Sequence, residues 1–268
     1  MNLDDVQRAA QEQFGRQSSR YGHGHILEQI DDVRAAMAAI ALPGRAKVLD
    51  LATGAGHTGL YLAALGHDVT LADIAAPMLE RASAMARERG LNITTRLHAA
   101  EECPYPNESF DLVTCRVAAH HFSSPEKFVA EAARILKMGG HFLLIDGTVQ
   151  DGEKEAEEWA HAVEVLRDPS HHRFVTPDSW KSFCMRNGLE VVSCNWTPFK
   201  QPDLNWYFDT ADTSPENRRQ VLQLVAEAPP SARALFNLGE EGGKIIWWWQ
   251  RLTLVAQKSR TGGESAQG

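Results

Sequence analysis

The spacing Gly54-x-Gly56-x-x-Gly59, with Asp50 four residues ahead of it and Asp73 nineteen residues past Gly54, is the pattern in this chain best suited to chemistry. The run Val48-Leu49-Asp50-Leu51-Ala52-Thr53 reads as an apolar strand feeding a glycine loop, and a helix follows. Gly54 and Gly56 tolerate positive φ and carry no Cβ, so the backbone there comes close to a ligand. The N–H groups of the next helix then face that ligand's polar end. The pattern is that of dinucleotide-binding loops, in which an acid ending the second strand, here Asp73, lies beside a ribose. A bare strand-to-helix turn and a helix-capping aspartate are the alternative readings. Asp50 discriminates between ligands. A carboxylate at the strand end repels a pyrophosphate and attracts a ligand that bears an ammonium group.

S-adenosylmethionine has that ammonium and a sulfonium cation besides, and it is the expected cofactor. A nicotinamide cofactor fits only the glycines and Asp73, and the chain has no Tyr-x-x-x-Lys pair of the short-chain dehydrogenase type. Two further groups are suited to chemistry. His120 and His121 follow the fourth predicted strand, at the C-terminal edge where α/β sites form. An imidazole titrating near neutrality suits a general base, and both are catalytic candidates. Core packing or helix capping is the alternative. The cluster Arg167-Asp168-Pro169-Ser170-His171-His172 reads either as a substrate loop, with Arg167 and His171 as binding residues, or as a plain helix stop. No metal is expected. Adjacent histidines rarely chelate one ion together, and no third ligand stands at a fixed spacing.

The elements that must position these residues alternate in type. Helical spacing covers residues 25–42 and stops at Pro43-Gly44. Strands are expected at Lys47–Ala52, Asp68–Ala72, Ile93–His98, Phe110–Cys115 and His141–Asp146. Helices are expected at Thr58–Leu65, Pro77–Arg89 and Pro125–Leu136, the last ended by Gly139-Gly140. Such alternation implies a parallel sheet covered on both faces. Beyond residue 150 the rhythm changes. Helices are expected at 153–167, Pro177–Arg186 and Pro215–Glu227, a strand at Leu189–Trp196, a break at Pro229-Pro230, and a last apolar strand at Ile245–Ala256. In that last strand, two of the side chains of Trp247-Trp248-Trp249 face the core. The aromatic-bearing segment 200–244 reads as a substrate lid or a homodimer contact.

The bulk composition narrows the class. With 43% hydrophobic and 23% charged residues the 268-residue chain is an ordinary globular protein. Its net charge of −8, without a basic stretch, argues against a general nucleic-acid binder. Cys103, Cys115, Cys184 and Cys194 form no C-x-x-C pair and are expected as buried free thiols. The polar, acidic N-terminal stretch is no secretory signal and no apolar run reaches the ~20 residues that span a bilayer, so a cytoplasmic protein without membrane contact is expected.

Four motifs in order then point to one family. Val48–Gly56 resembles motif I of the class I S-adenosylmethionine-dependent methyltransferases. Leu71-Ala72-Asp73-Ile74-Ala75-Ala76-Pro77-Met78-Leu79 is similar to the second-strand motif V-D-x-S-x-x-M-L. Ala100–Asp111 resembles A-E-x-L-P-F-x-x-x-S-F-D, and Glu131–Gly140 resembles E-x-x-R-V-L-K-P-G-G with Met138 in place of proline. Phe14, Tyr21 and His25 look like the N-terminal arm of the ubiquinone/menaquinone C-methyltransferase-like branch. Arg116–Phe122 and Leu166–His171 look like a bacterial subgroup of it, and the likeness is loose after residue 200.

The resemblance implies a doubly wound, seven-stranded, mostly parallel α/β sheet of Rossmann-like methyltransferase type, with an antiparallel last strand and helical insertions. It implies a single domain over 1–258: a helical arm at 1–43, a cofactor-binding core at 47–146, substrate-side helices at 151–187 and 200–244, and a disordered tail at 259–268. Carried over to this sequence, Ala52, Thr53, Gly54 and Gly56 frame the methionine part, with Asp50 near its ammonium. Asp73 accepts the ribose hydroxyls, Ile74 and Met78 pack at the adenine, Ala100 and Glu101 edge it, and Arg116 supplies a carbonyl. Read from their residue types, Tyr21 and Phe14 either close over the sulfonium, which an aromatic face attracts, or form a plain hydrophobic staple. Ala99 stands where many relatives have an aspartate, so adenine recognition rests more on backbone. The implied reaction is methyl transfer to carbon or oxygen of an aromatic or apolar small molecule. A nicotinamide-dependent oxidoreductase and a cofactor-binding protein without turnover are the alternatives.

Overall fold

The computed structural model describes residues 2–259, so the expectation for the tail falls, past Ser259, outside the described residues. The chain opens with helix α1 (Asp5–Gln17), started by a reciprocal cap: the Asp4 carboxylate accepts the Gln7 N–H, and the Gln7 side chain accepts the Asp4 N–H. Two single 3-10 turns and a short helix α2 (Asp31–Met37) follow. The long helix expected over 25–42 is thereby cut short. Gln29 is extended (φ −71°, ψ 118°) between the second turn and α2, and the Arg116 guanidinium holds the Leu27 and Gln29 carbonyls there at 2.8 and 2.6 Å.

The βα core runs β1 (Lys47–Leu51), α3 (His57–Ala64), β2 (Asp68–Asp73), α4 (Ala76–Glu88), β3 (Thr94–Leu97), β4 (Phe110–Arg116), α5 (Pro125–Ile135) and β5 (Leu136–Thr148). These five strands pair in parallel. Gly139 and Gly140 lie inside β5 rather than between helix and strand. The strand begins at Leu136 opposite Phe110, and a bulge brings His141 opposite Leu112. A Cβ on Gly140 would sit 2.9 Å from the Lys137 carbonyl, so the tight bulge needs glycine.

The second half adds α6 (Lys154–Arg167), α7 (Pro177–Arg186), β6 (Leu189–Lys200), α8 (Leu204–Ala211), α9 (Pro215–Ala226), α10 (Pro230–Leu235), the hairpin β7 (Gly239–Glu241) and β8 (Lys244–Ile246), and β9 (Trp248–Lys258). The main sheet has the order β3-β2-β1-β4-β5-β9-β6, with β9 antiparallel to both neighbours. The expected seven-stranded, mostly parallel sheet with an antiparallel last strand is therefore present. The run Ile245–Ala256 is split, however. Buried Trp247 sits between β8 and β9, where its carbonyl accepts the Gln201 N–H. Pro229-Pro230 starts α10, since a proline in the first helical turn lacks only an N–H that would go unused there.

Helices α2, α3 and α4 cover one sheet face through Val33, Leu60, Leu79 and Met85, and α5 and α7 cover the other through Phe128 and Trp180. A third apolar cluster, with Trp159, Tyr207, Phe208, Trp247 and Trp249, joins α6, α8 and α9 to the sheet's far end. Cys103, Cys115 and Cys184 are buried, and Cys194 is half-buried; all are free thiols. Among the described residues no helix is long and apolar enough to cross a membrane.

Candidate active site

The glycine loop turns on left-handed residues. Ala52 (φ 50°), Gly54 (φ 54°) and Gly56 (φ 86°) all have positive φ as the chain leaves β1 and enters α3. A Cβ on Gly54 would meet nothing and project into open space, whereas one on Gly56 would press on Ala82 at 3.0 Å. Gly59 serves packing instead: a Cβ there would stand 2.1 Å from Leu71 Cδ2, so α3 rests directly on β2. Asp73, ending β2, accepts the Gly54 N–H at 2.8 Å on one oxygen and the Ala75 N–H at 2.9 Å on the other. Each oxygen keeps a lone pair for a hydroxyl donor. Burial raises the Asp73 pKa to about 6, against the pull of these N–H groups.

The Asp50 carboxylate lies behind the loop, accepting the Thr53 hydroxyl at 2.5 Å, the Thr114 hydroxyl at 2.6 Å and the Gly59 N–H at 3.1 Å. Those three donors hold it inside the protein and off the cavity wall. Gly56 likewise makes the turn without lining the cavity.

A single open cavity of about 1300 Å³ receives the rest. Ala52, Thr53, Gly54, Asp73, Ile74, Met78, Ala100 and Glu101 line one end, with Tyr21 and Arg116 also on the wall. The Glu101 carboxylate accepts the Ser123 N–H and hydroxyl. The Arg116 side chain is turned to the arm, donating to Asp32, Leu27 and Gln29. Helix α1 roofs the cavity. Gln11 donates to the Ile74 carbonyl on the glycine-loop side, while Gln13 and Gln17 both donate to the Ala211 carbonyl of α8 on the opposite side. Phe14 meets Tyr21 and His121 edge-on at 6.1 and 4.8 Å, and Tyr21 stacks on His25.

The opposite end brings the two histidine-bearing clusters together. The His120 carbonyl accepts the N–H groups of His172 and Arg173, which docks the loop after α6 onto the turn after β4. His120 Nδ1 lies 2.6 Å from Asp146 Oδ1, and the His120 N–H donates to Asp146 Oδ2 at 2.8 Å. Burial works against a charged His120, yet Asp146 outweighs it and the pKa is raised. His121 Nδ1 contacts the Ser170 carbonyl and hydroxyl, and burial with the His120 charge lowers its pKa to about 4. His171 is packed between His120 and Phe174 with neither ring nitrogen bonded, and it lies off the cavity wall. Arg167 lines the cavity with its guanidinium 3.9 Å above the Tyr207 ring and paired with Glu164.

Several residues in or behind the cavity wall were not singled out from sequence. Asp146 is marked only by its place at the C-terminal end of the fifth strand, the edge where α/β sites form. Arg251 is the one cation within the apolar run of β9. His57 opens α3 on the wall with both ring nitrogens buried and unbonded.

The sequence and the fold are similar to those of known proteins. Residues 49–144 match the methyltransferase domain family. The chain is 31% identical over 236 residues to an uncharacterized methyltransferase of Bacillus subtilis, YcgJ, covering 87% of this chain and 92% of the relative. The crystal structure of that protein superposes with a TM-score of 0.79 over 87% of this chain and all of the other, at 27% identity. A putative methyltransferase of Bacillus halodurans superposes with a TM-score of 0.80 at 28% identity, over 86% of this chain and all of the other. A ubiquinone/menaquinone biosynthesis C-methyltransferase of Psychromonas ingrahamii is 36% identical over 105 residues, 37% of this chain and 42% of the relative. The chain belongs to the class I S-adenosylmethionine-dependent methyltransferases. Its cofactor is S-adenosylmethionine, and the nicotinamide alternative left open by the glycines falls away. The residues present fit that cofactor. Asp73 has acceptor capacity at the wall, and the side of Gly54 where a Cβ would project is free.

Proposed function

We propose that the chain methylates an oxygen or carbon atom of an aromatic or apolar small molecule, with His120 as general base. The observation that carries this reading is the His120–Asp146 pair at 2.6 Å beside the cavity. Asp146 accepts only, so Nδ1 carries the proton and Nε2 is the basic atom. Nε2 makes no hydrogen bond among the described residues and is available to a hydroxyl or an acidic C–H. When bound, S-adenosylmethionine supplies a methyl already activated by its sulfonium. The protein's task is then alignment, proton removal and exclusion of water.

The remaining roles follow from position. Backbone at Ala52, Thr53 and Gly54 holds the methionine part, on a loop shaped by Asp50 and Gly56. Asp73 takes the ribose hydroxyls, Ile74 and Met78 pack at the adenine, and Ala100, Glu101 and the Arg116 backbone edge it. Phe14 and Tyr21 present aromatic faces to the sulfonium. Arg167 and His121 stand on the acceptor side, and His171 supports them by packing. Residues 151–187 and 200–244 form an acceptor-side cover within one domain of 1–258. Burial of Tyr207 and Phe208 against the site supports the lid reading of the insertion over the dimer contact. The setting is a cytoplasmic small-molecule reaction.

The experiment incubates the protein and a His120→Asn variant with methyl-labelled S-adenosylmethionine and metabolite extracts. A labelled product that needs His120 is expected. No product in aqueous or organic extracts, with S-adenosylhomocysteine still bound, would mean binding without turnover.

A further inference from the structure

We infer that the methyl acceptor carries a carboxylate, and that Arg251 binds it at the end of the cavity remote from the glycine loop. The inference rests on the reading that this end receives the acceptor. Arg251 is 8% exposed and lines the cavity. Its Nε is buried and has no partner. Its guanidinium lies 3.5 Å above the Phe199 ring centroid, which fixes the plane of the fork. Nη1 reaches Asp32 Oδ2 at 3.1 Å, but Asp32 is shared. The same carboxylate holds Arg116 at 2.9 and 3.0 Å, so two buried cations share one anion. Arg116 completes its hydrogen bonding with the Leu27 and Gln29 carbonyls, whereas Arg251 does not.

The other cations here have acids of their own: Arg167 has Glu164, and His120 has Asp146. Arg251 is thus the cation left short of charge. Burial, together with the Arg116 charge, lowers its pKa to about 10 even with Asp32 beside it. One carboxylate on the cavity side of the guanidinium would supply the missing charge. A neutral acceptor would close the site over a cation that shares its only anion, which disfavours its binding. The cofactor's own carboxylate is not the natural partner. In the sheet, β9 lies three strands from β1, about 14 Å to the side of the glycine loop. Phe199, Trp206, Tyr207 and Trp249 surround this end and suit an aromatic or apolar body.

The test titrates the S-adenosylhomocysteine complex with benzoate, para-hydroxybenzoate and trans-cinnamate, each beside its neutral methyl ester. Saturable binding of at least one acid is expected, at least tenfold tighter than its ester. In Arg251→Met that preference disappears while S-adenosylhomocysteine affinity stays the same. Esters binding as tightly as acids, or no acid binding at millimolar concentration, overturns the proposal without use of any variant. Acid affinity unchanged in Arg251→Met, or a loss of S-adenosylhomocysteine affinity there, overturns it also. Label transfer that depends on His120 is measured separately, so failure of the carboxylate does not carry the methyltransferase reading with it.

Discussion

The glycine-loop end of the cavity is built on a backbone turn, and the His120 end on side chains. The first end is made by near neighbours. Asp50 holds Thr53 and Gly59, and Asp73 holds the Gly54 N–H. The second draws His120, Arg167, Tyr207 and Arg251 from four elements or turns, with Asp146 behind His120 from a fifth. The family match covers residues 49–144 and ends two residues short of Asp146. The difference is physical. A cofactor common to many enzymes is held by loop geometry that tolerates few changes. An acceptor is chosen by side chains on loops and insertions that tolerate many. Helix α1 spans both ends, through Gln11 at Ile74 and Gln13 and Gln17 at Ala211.

The sharpest way to break this contrast is His120→Asn. It should lower kcat about 100- to 10,000-fold and leave S-adenosylhomocysteine affinity unchanged, as measured by single-turnover label transfer and calorimetry. Catalysis that survives would place the base elsewhere. Because His120 must be neutral to accept a proton and Asp146 raises its pKa, the rate should fall as pH drops through that raised value. Asp146→Asn should move the inflection to lower pH. Asp73→Ala is the counterpart at the other end, where about 1–3 kcal/mol of cofactor binding should go with the lost hydrogen bonds. In the wild type, cofactor affinity should weaken as pH falls below about 6, since Asp73 is then protonated and loses acceptor capacity. Titration with S-adenosylhomocysteine across this range checks the sign, and a flat profile would remove Asp73 from the ribose.

Smaller effects probe the scaffold. Gly59→Ala drives a methyl into Leu71 and should cost about 1–3 kcal/mol of stability in urea unfolding. If stability is unchanged, α3 can lift off β2 and the backbone end is softer than its geometry suggests. Gln17→Ala removes one of two bonds to Ala211 and should cost about 1 kcal/mol, read as faster hydrogen exchange in α1. An unchanged rate would mean that the roof is held by its apolar contacts alone.

The order of strands and helices through residue 146 was legible from sequence, because buried parallel strands read as apolar runs and glycine or proline punctuates their helices. So was the cluster of Gly54, Gly56, Gly59 and Asp73, which the fold brings together within two βα units. Local pattern failed where a distant group intervened. Arg116 holds the Leu27 and Gln29 carbonyls where the chain is extended within 25–42, and the β5 bulge places Gly139 and Gly140 inside a strand. Asp50 has the right residue type at the right position, but only packing shows that Thr53, Thr114 and Gly59 hold it behind the loop. At the other end sequence offered His120, His121 and Arg167 as candidates, but their partners belong to tertiary structure. Asp146 becomes the partner of His120, and Arg251 becomes a cation short of charge, only when β4, β5 and β9 lie side by side. Sequence alone determined the fold and the cofactor, because backbone geometry is written by neighbours. The pairing of charges across strands far apart in the chain was decided by the folded sheet, because burial and distance set its energy.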